Sequence, residues 1–71
     1  MDKAAASKTF ESMKLVLREL DESIVQIQDD CDEEEYRNYK YSVGKVMVSV
    51  RENILDPIFK EYPELIPEEL K

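Results

Sequence analysis

Along the first half of the chain, apolar side chains recur at Ala6, Phe10, Met13, Leu17, Leu20, Ile24, Ile27 and Cys31, alternately four and three residues apart. That spacing is a heptad seam, the pattern with which one helix packs against another, and it narrows the available folds more than any other feature. Alanine, leucine, lysine and glutamate dominate the segment, all good helix formers, and Asp2, Ser7 or Thr9 can cap its start. We read residues 4–30 as a helix. The seam then falls out of phase, because its next positions would be Glu34 and Asn38. The first helix is therefore expected to stop near Cys31, although no Gly or Pro marks the boundary and one long bent helix is the alternative.

The break coincides with "DDCDEEE", residues 29–35, which carries a charge of −6 out of a total of −7 and leaves the rest of the chain at −1. Asp32 is positioned to cap a second helix, with Glu33, Glu34 and Glu35 in its first turn, where free backbone N–H groups favour negative charge. Glu33 also precedes Arg37 by four residues, the favourable order for an ion pair on a helix. Asp29, Asp30, Asp32, Glu33 and Glu34 form a candidate acidic contact surface for a basic protein. A calcium loop is disfavoured: counting from Asp30, position five is Glu34, position six is Glu35 where glycine is needed, and position twelve is Tyr41. Weak divalent-cation binding by clustered carboxylates is the form of that reading left open. Cys31, on the seam, reads as a small buried hydrophobe whose acidic neighbours raise its thiol pKa.

Residues 36–55 admit two readings. As a helix, they place Tyr36, Tyr39, Val43, Val46, Met47, Val50 and Ile54 on one wide face, and Tyr41, Val48 and Leu55 on a second, narrower stripe beside Gly44. Two apolar stripes imply two neighbours. Tyr41, Gly44, Val48 and Leu55 are accordingly the candidate oligomer interface, with Gly44 allowing a close helix approach. As a β-hairpin over 39–50, Gly44-Lys45 would be the turn and the valines and tyrosines would share one face. We prefer a helix over 33–55, because a lone two-stranded sheet is marginal in water and the helical stripe extends past both ends of the hairpin.

Asp56-Pro57 is expected to end or kink this helix, with Asp56 capping a short new one, and Pro63 and Pro67 divide the remaining residues. Phe59, Tyr62, Leu65, Ile66 and Leu70 equip this tail, 56–71, to strap the open end of the helices or to serve as a docking peptide.

Seventy-one residues make a single domain whose core supplies about 3–5 kcal/mol, so a staple or a partner is expected. One cysteine and no histidine exclude an internal disulfide and disfavour a zinc site, which leaves self-association. The same composition lacks an imidazole for nucleophilic catalysis, and we expect no enzyme activity and no cofactor. No basic patch suits nucleic acid, and no apolar run suits a membrane. The start, "MDKAAASKTF", has no apolar leader core, from which we expect a cytoplasmic protein. The expected architecture is all-α: a helical hairpin with a Pro-punctuated tail, pairing into a homodimeric four-helix bundle, with an α+β fold carrying the 39–50 hairpin as the alternative. The expected function is a small noncatalytic interaction or regulatory protein. Its alternatives are an acidic inhibitory partner of the immunity or antitoxin type and a cation-responsive module.

Overall fold

The structure, a computed structural model, describes residues 1–70; the last residue of the expected tail, Lys71, lies outside them. Among the described residues the fold is all-α with no strand. Helix α1 spans Lys3–Gln26 and helix α2 spans Glu33–Val50. A π-helical turn, Arg51–Leu55, and helix α3, Asp56–Glu61, follow α2 without interruption. Two 3-10 turns, Pro63–Leu65 and Glu68–Leu70, complete the tail. The hairpin alternative at 39–50 is overturned, because those residues lie in the body of α2. The wide face that Tyr36 to Ile54 form along a helix outweighs the strand preference of the individual valines and tyrosines.

Asp2 begins α1 in the way an N-cap does: its carboxylate accepts from the Ala5 N–H at 2.8 Å. The helix ends a turn earlier than its seam, at Gln26, and Gln28 and Asp30 donate backbone N–H bonds three residues back to Val25 and Ile27. Such three-residue bonds tighten the last turn where glycine is lacking. Asp32 then starts α2 with a reciprocal pair of bonds. Its carboxylate accepts from the Glu35 N–H at 2.8 Å, while its own N–H donates to the Glu35 carboxylate at 3.4 Å.

Contacts between distant residues set the chain directions. Ser23, late in α1, shares a 2.8 Å hydrogen bond with Tyr39, early in α2. Phe10, early in α1, meets Phe59 of α3 edge to face, with ring centroids 5.1 Å apart. The Tyr62 hydroxyl donates to the Met1 carbonyl at 2.8 Å, and Lys3 pairs with Glu64 at 3.4 Å. The α2–α3 path therefore runs antiparallel to α1, with the acidic turn at one tip and Met1 beside Tyr62 at the other.

The path does not stop at Pro57, and Asp56 is not a cap. Asp56 has helical dihedrals, φ −58 and ψ −44, and its N–H bonds five residues back to the Arg51 carbonyl. Proline at 57 has no N–H for the carbonyl of Asn53, and its ring collides with that carbonyl in a regular α-turn. Opening the turn by one residue moves the carbonyl aside and lets the helix continue.

The core is small. Ala6, Val43, Leu55 and Ile58 are the buried apolar residues, all at 5% exposure or less. Phe10, Met13, Leu17, Leu20, Ile24, Ile27 and Cys31, the rest of the seam, are only half-buried, since two helices enclose a seam from one side. No helix among the described residues is long and apolar enough to cross a membrane.

Candidate functional site

Where α1, the end of α2, the π-turn, α3 and the tail converge, they leave an open apolar groove of about 580 Å³. Phe10 and Leu17 contribute from α1, Leu55 from the π-turn, Phe59 from α3, and Ile66 and Leu70 from the tail. Lys14, Arg51 and Asp56 add charge to its lining. The groove stays open because the prolines deny the tail a helix. Tyr62 and Ile66, each preceding a proline, take non-helical dihedrals, and only short 3-10 turns form. The strap expected over the helix ends is partial: Leu65 and Ile66 are half-buried against them, but Leu70 stays 72% exposed.

A second, shallower hollow lies further toward the start of α2, lined by Lys40, Tyr41, Gly44, Lys45 and Val48. Val48 belongs to both hollows, so together they make one continuous apolar face. Tyr41 stands out from it, 69% exposed, with the Lys45 ammonium 4.9 Å above its ring. A side chain added at Gly44 would meet nothing within 4 Å, so the fold of one chain has no steric need for glycine there. A glycine inside a helix costs about 1 kcal/mol relative to alanine, and the isolated chain shows no return for it.

Of the four residues expected at an oligomer interface, Tyr41, Gly44 and Val48 thus lie together on the outside, while Leu55 does not share their exposure. Heptad spacing places Leu55 in line with them. The π-turn takes one more residue to close than an α-turn, which rotates Leu55 inward and makes it part of the core. From sequence, the groove residues of α1 read as a packing seam and those of the tail as a strap or docking peptide; the one signal for an opening is the run of prolines at 57, 63 and 67.

The five acidic candidates divide by role. Asp32 caps α2, Glu33 pairs with Arg37 at 3.5 Å, and Asp29, Asp30 and Glu34 are exposed around them. Hydrogen bonding from the Glu35 N–H holds the Asp32 carboxyl below the usual carboxylate range, helped by the Glu35 side chain. No group of three or more His, Cys, Asp or Glu side chains among the described residues is arranged to hold a metal ion. Cys31 is half-buried and donates its thiol to the Ile27 carbonyl at 3.2 Å. Loss of hydration pushes its pKa up, with further contributions from the charges of Glu35, Asp32 and Asp30. A thiol so placed is a poor nucleophile at neutral pH.

Comparison of the chain with protein-family models, with curated proteins and with solved structures gives no match.

Proposed function

We propose that this protein is a small noncatalytic interaction module that works as a homodimer through the exposed apolar face of α2 and its adjoining groove. One observation carries the reading. The chain exposes 5458 Å², whereas a compact monomer of 8.4 kDa exposes about 4600 Å² by the usual scaling of area with mass. The excess of roughly 850 Å² matches the ~800 Å² that each partner contributes to a protein interface of standard size. Part of its apolar surface adjoins the two connected hollows, where Tyr41, Val48 and Leu70 are exposed; Leu15, Val16, Val25 and Val46 are exposed elsewhere. Burying such a face adds to the stability that the small core of four buried residues supplies to the single chain.

Sedimentation equilibrium at micromolar concentration tests this. The expected mass is twice 8.4 kDa, and Val48→Asp is expected to return it to 8.4 kDa with unchanged helical circular dichroism. A wild-type chain that sediments at 8.4 kDa throughout that range sinks the proposal.

A further inference from the structure

The apolar face is self-complementary about one point, and that property specifies how two copies would meet. On one side of Val48 stands a knob, the exposed ring of Tyr41, seven residues back; on the other side lies a hole, the groove at Leu55, seven residues on. Seven residues separate Val48 from the knob on one side and from the Leu55 end of the groove on the other, about 10.5 Å along the α-helical side and somewhat less through the π-turn. The hole exists because the π-turn draws Leu55 inward; a regular α-turn would have left Leu55 on the same outward stripe as Tyr41 and Val48.

We propose that two copies of the chain pair through a two-fold axis passing close to Val48, with their α2 helices antiparallel, so that Tyr41 of each enters the groove of the other beside Leu55. This rests on the self-association proposed above and adds its register. A two-fold contact must be self-complementary, with each residue pair occurring twice. The register that sets Tyr41 level with Leu55 of the second copy also sets Lys40 level with its Asp56. Among the described residues neither of these charges takes part in an ion pair, and each lines the hollow where the other copy would place its partner. Gly44 falls between the axis and the knob, where its missing side chain lets the second helix come close. Lys45 is carried toward Arg51, but each already has a neighbour in its own chain: the Tyr41 ring at 4.9 Å and the Glu52 carboxylate at 3.9 Å.

Charge reversal separates this register from any other dimer. Lys40→Glu makes an already acidic chain more acidic and Asp56→Lys makes it less so, so repulsion through net charge alone would weaken one dimer and strengthen the other. The proposed pairing requires both single variants to raise the dimer Kd, by about tenfold each, and the double variant to return to within about threefold of wild type. Circular dichroism confirms that each variant is folded. A second measurement is independent of these charges: Val48→Cys on a Cys31→Ser background should oxidise to a disulfide-linked dimer, because the axis brings the two Val48 positions together. A dimeric wild type whose Kd ignores the reversals, or follows net charge, overturns the register and leaves self-association standing, as does a Val48→Cys chain that stays reduced. A monomeric wild type overturns both proposals.

Discussion

Asp32 shows how a residue with an obvious charge can have a local task. Its carboxylate satisfies a backbone N–H at the start of α2, and that bond favours the ionised form, so the folded-state pKa is depressed. The stabilisation is therefore complete above the unfolded aspartate value of about 3.9 and is lost as pH falls through the lower folded value. Thermal melts of wild type and Asp32→Ala should differ by a constant few degrees above pH ~5, and the difference should shrink on acidification below pH ~4. A gap that persists unchanged in acid would show that the carboxylate's charge is irrelevant to the cap. Glu33 belongs to the same turn, but its pair with Arg37 is solvent-exposed on both sides and contributes little. The Cys31 thiol, beside them, is held protonated first by loss of hydration and then by the charges of Glu35, Asp32 and Asp30.

At the scale of elements, the π-turn distinguishes two leucine-valine positions that heptad counting treats alike. Leu55→Ala removes a buried side chain and should cost about 2–5 kcal/mol in urea unfolding, enough to leave little folded protein. Val48→Ala, measured at concentrations low enough to keep the chain monomeric, should stay within about 0.5 kcal/mol of wild type. Similar losses at both positions would mean that the helix continues in regular register. This contrast also marks how far the sequence can be read. The seam from Ala6 to Cys31 identifies α1, the Asp32 and Glu35 pair identifies the start of α2, and the wide face from Tyr36 to Ile54 speaks against strands. Pro57 announces a disturbance but not its form. A proline can end a helix, kink it or widen its previous turn, and the choice depends on whether α3 gains by reaching Phe10, a contact 49 residues away in sequence. The groove is illegible for the same reason, since its walls come from five separate segments: α1, α2, the π-turn, α3 and the tail.

The whole molecule is elongated. Its extents are 45 × 22 × 16 Å, and its radius of gyration, 14.7 Å, exceeds the ~11 Å of a compact domain of this length. Two long helices side by side have little interior, so the stability of the folded state is expected to depend on how many chains are present. If dimerisation supplies part of it, the melting temperature should rise by about 3–5 °C for each tenfold increase in protein concentration, and Val48→Asp should abolish the dependence. A wild-type melting temperature independent of concentration would place all the stability within the single chain.

Elongation has one more effect. The turn at residues 29–35 gathers a charge of −6 at one tip, while Met1 and Tyr62 meet at the other. Two such molecules laid side by side in the same direction would set twelve negative charges at one end of the pair, where repulsion acts over the ~8 Å screening length of physiological salt. Laid in opposite directions, the tips sit at the far ends of the pair. The acidic turn therefore acts as a polarity mark, biasing any lengthwise neighbour of its own kind to lie head to tail, most strongly where salt is low.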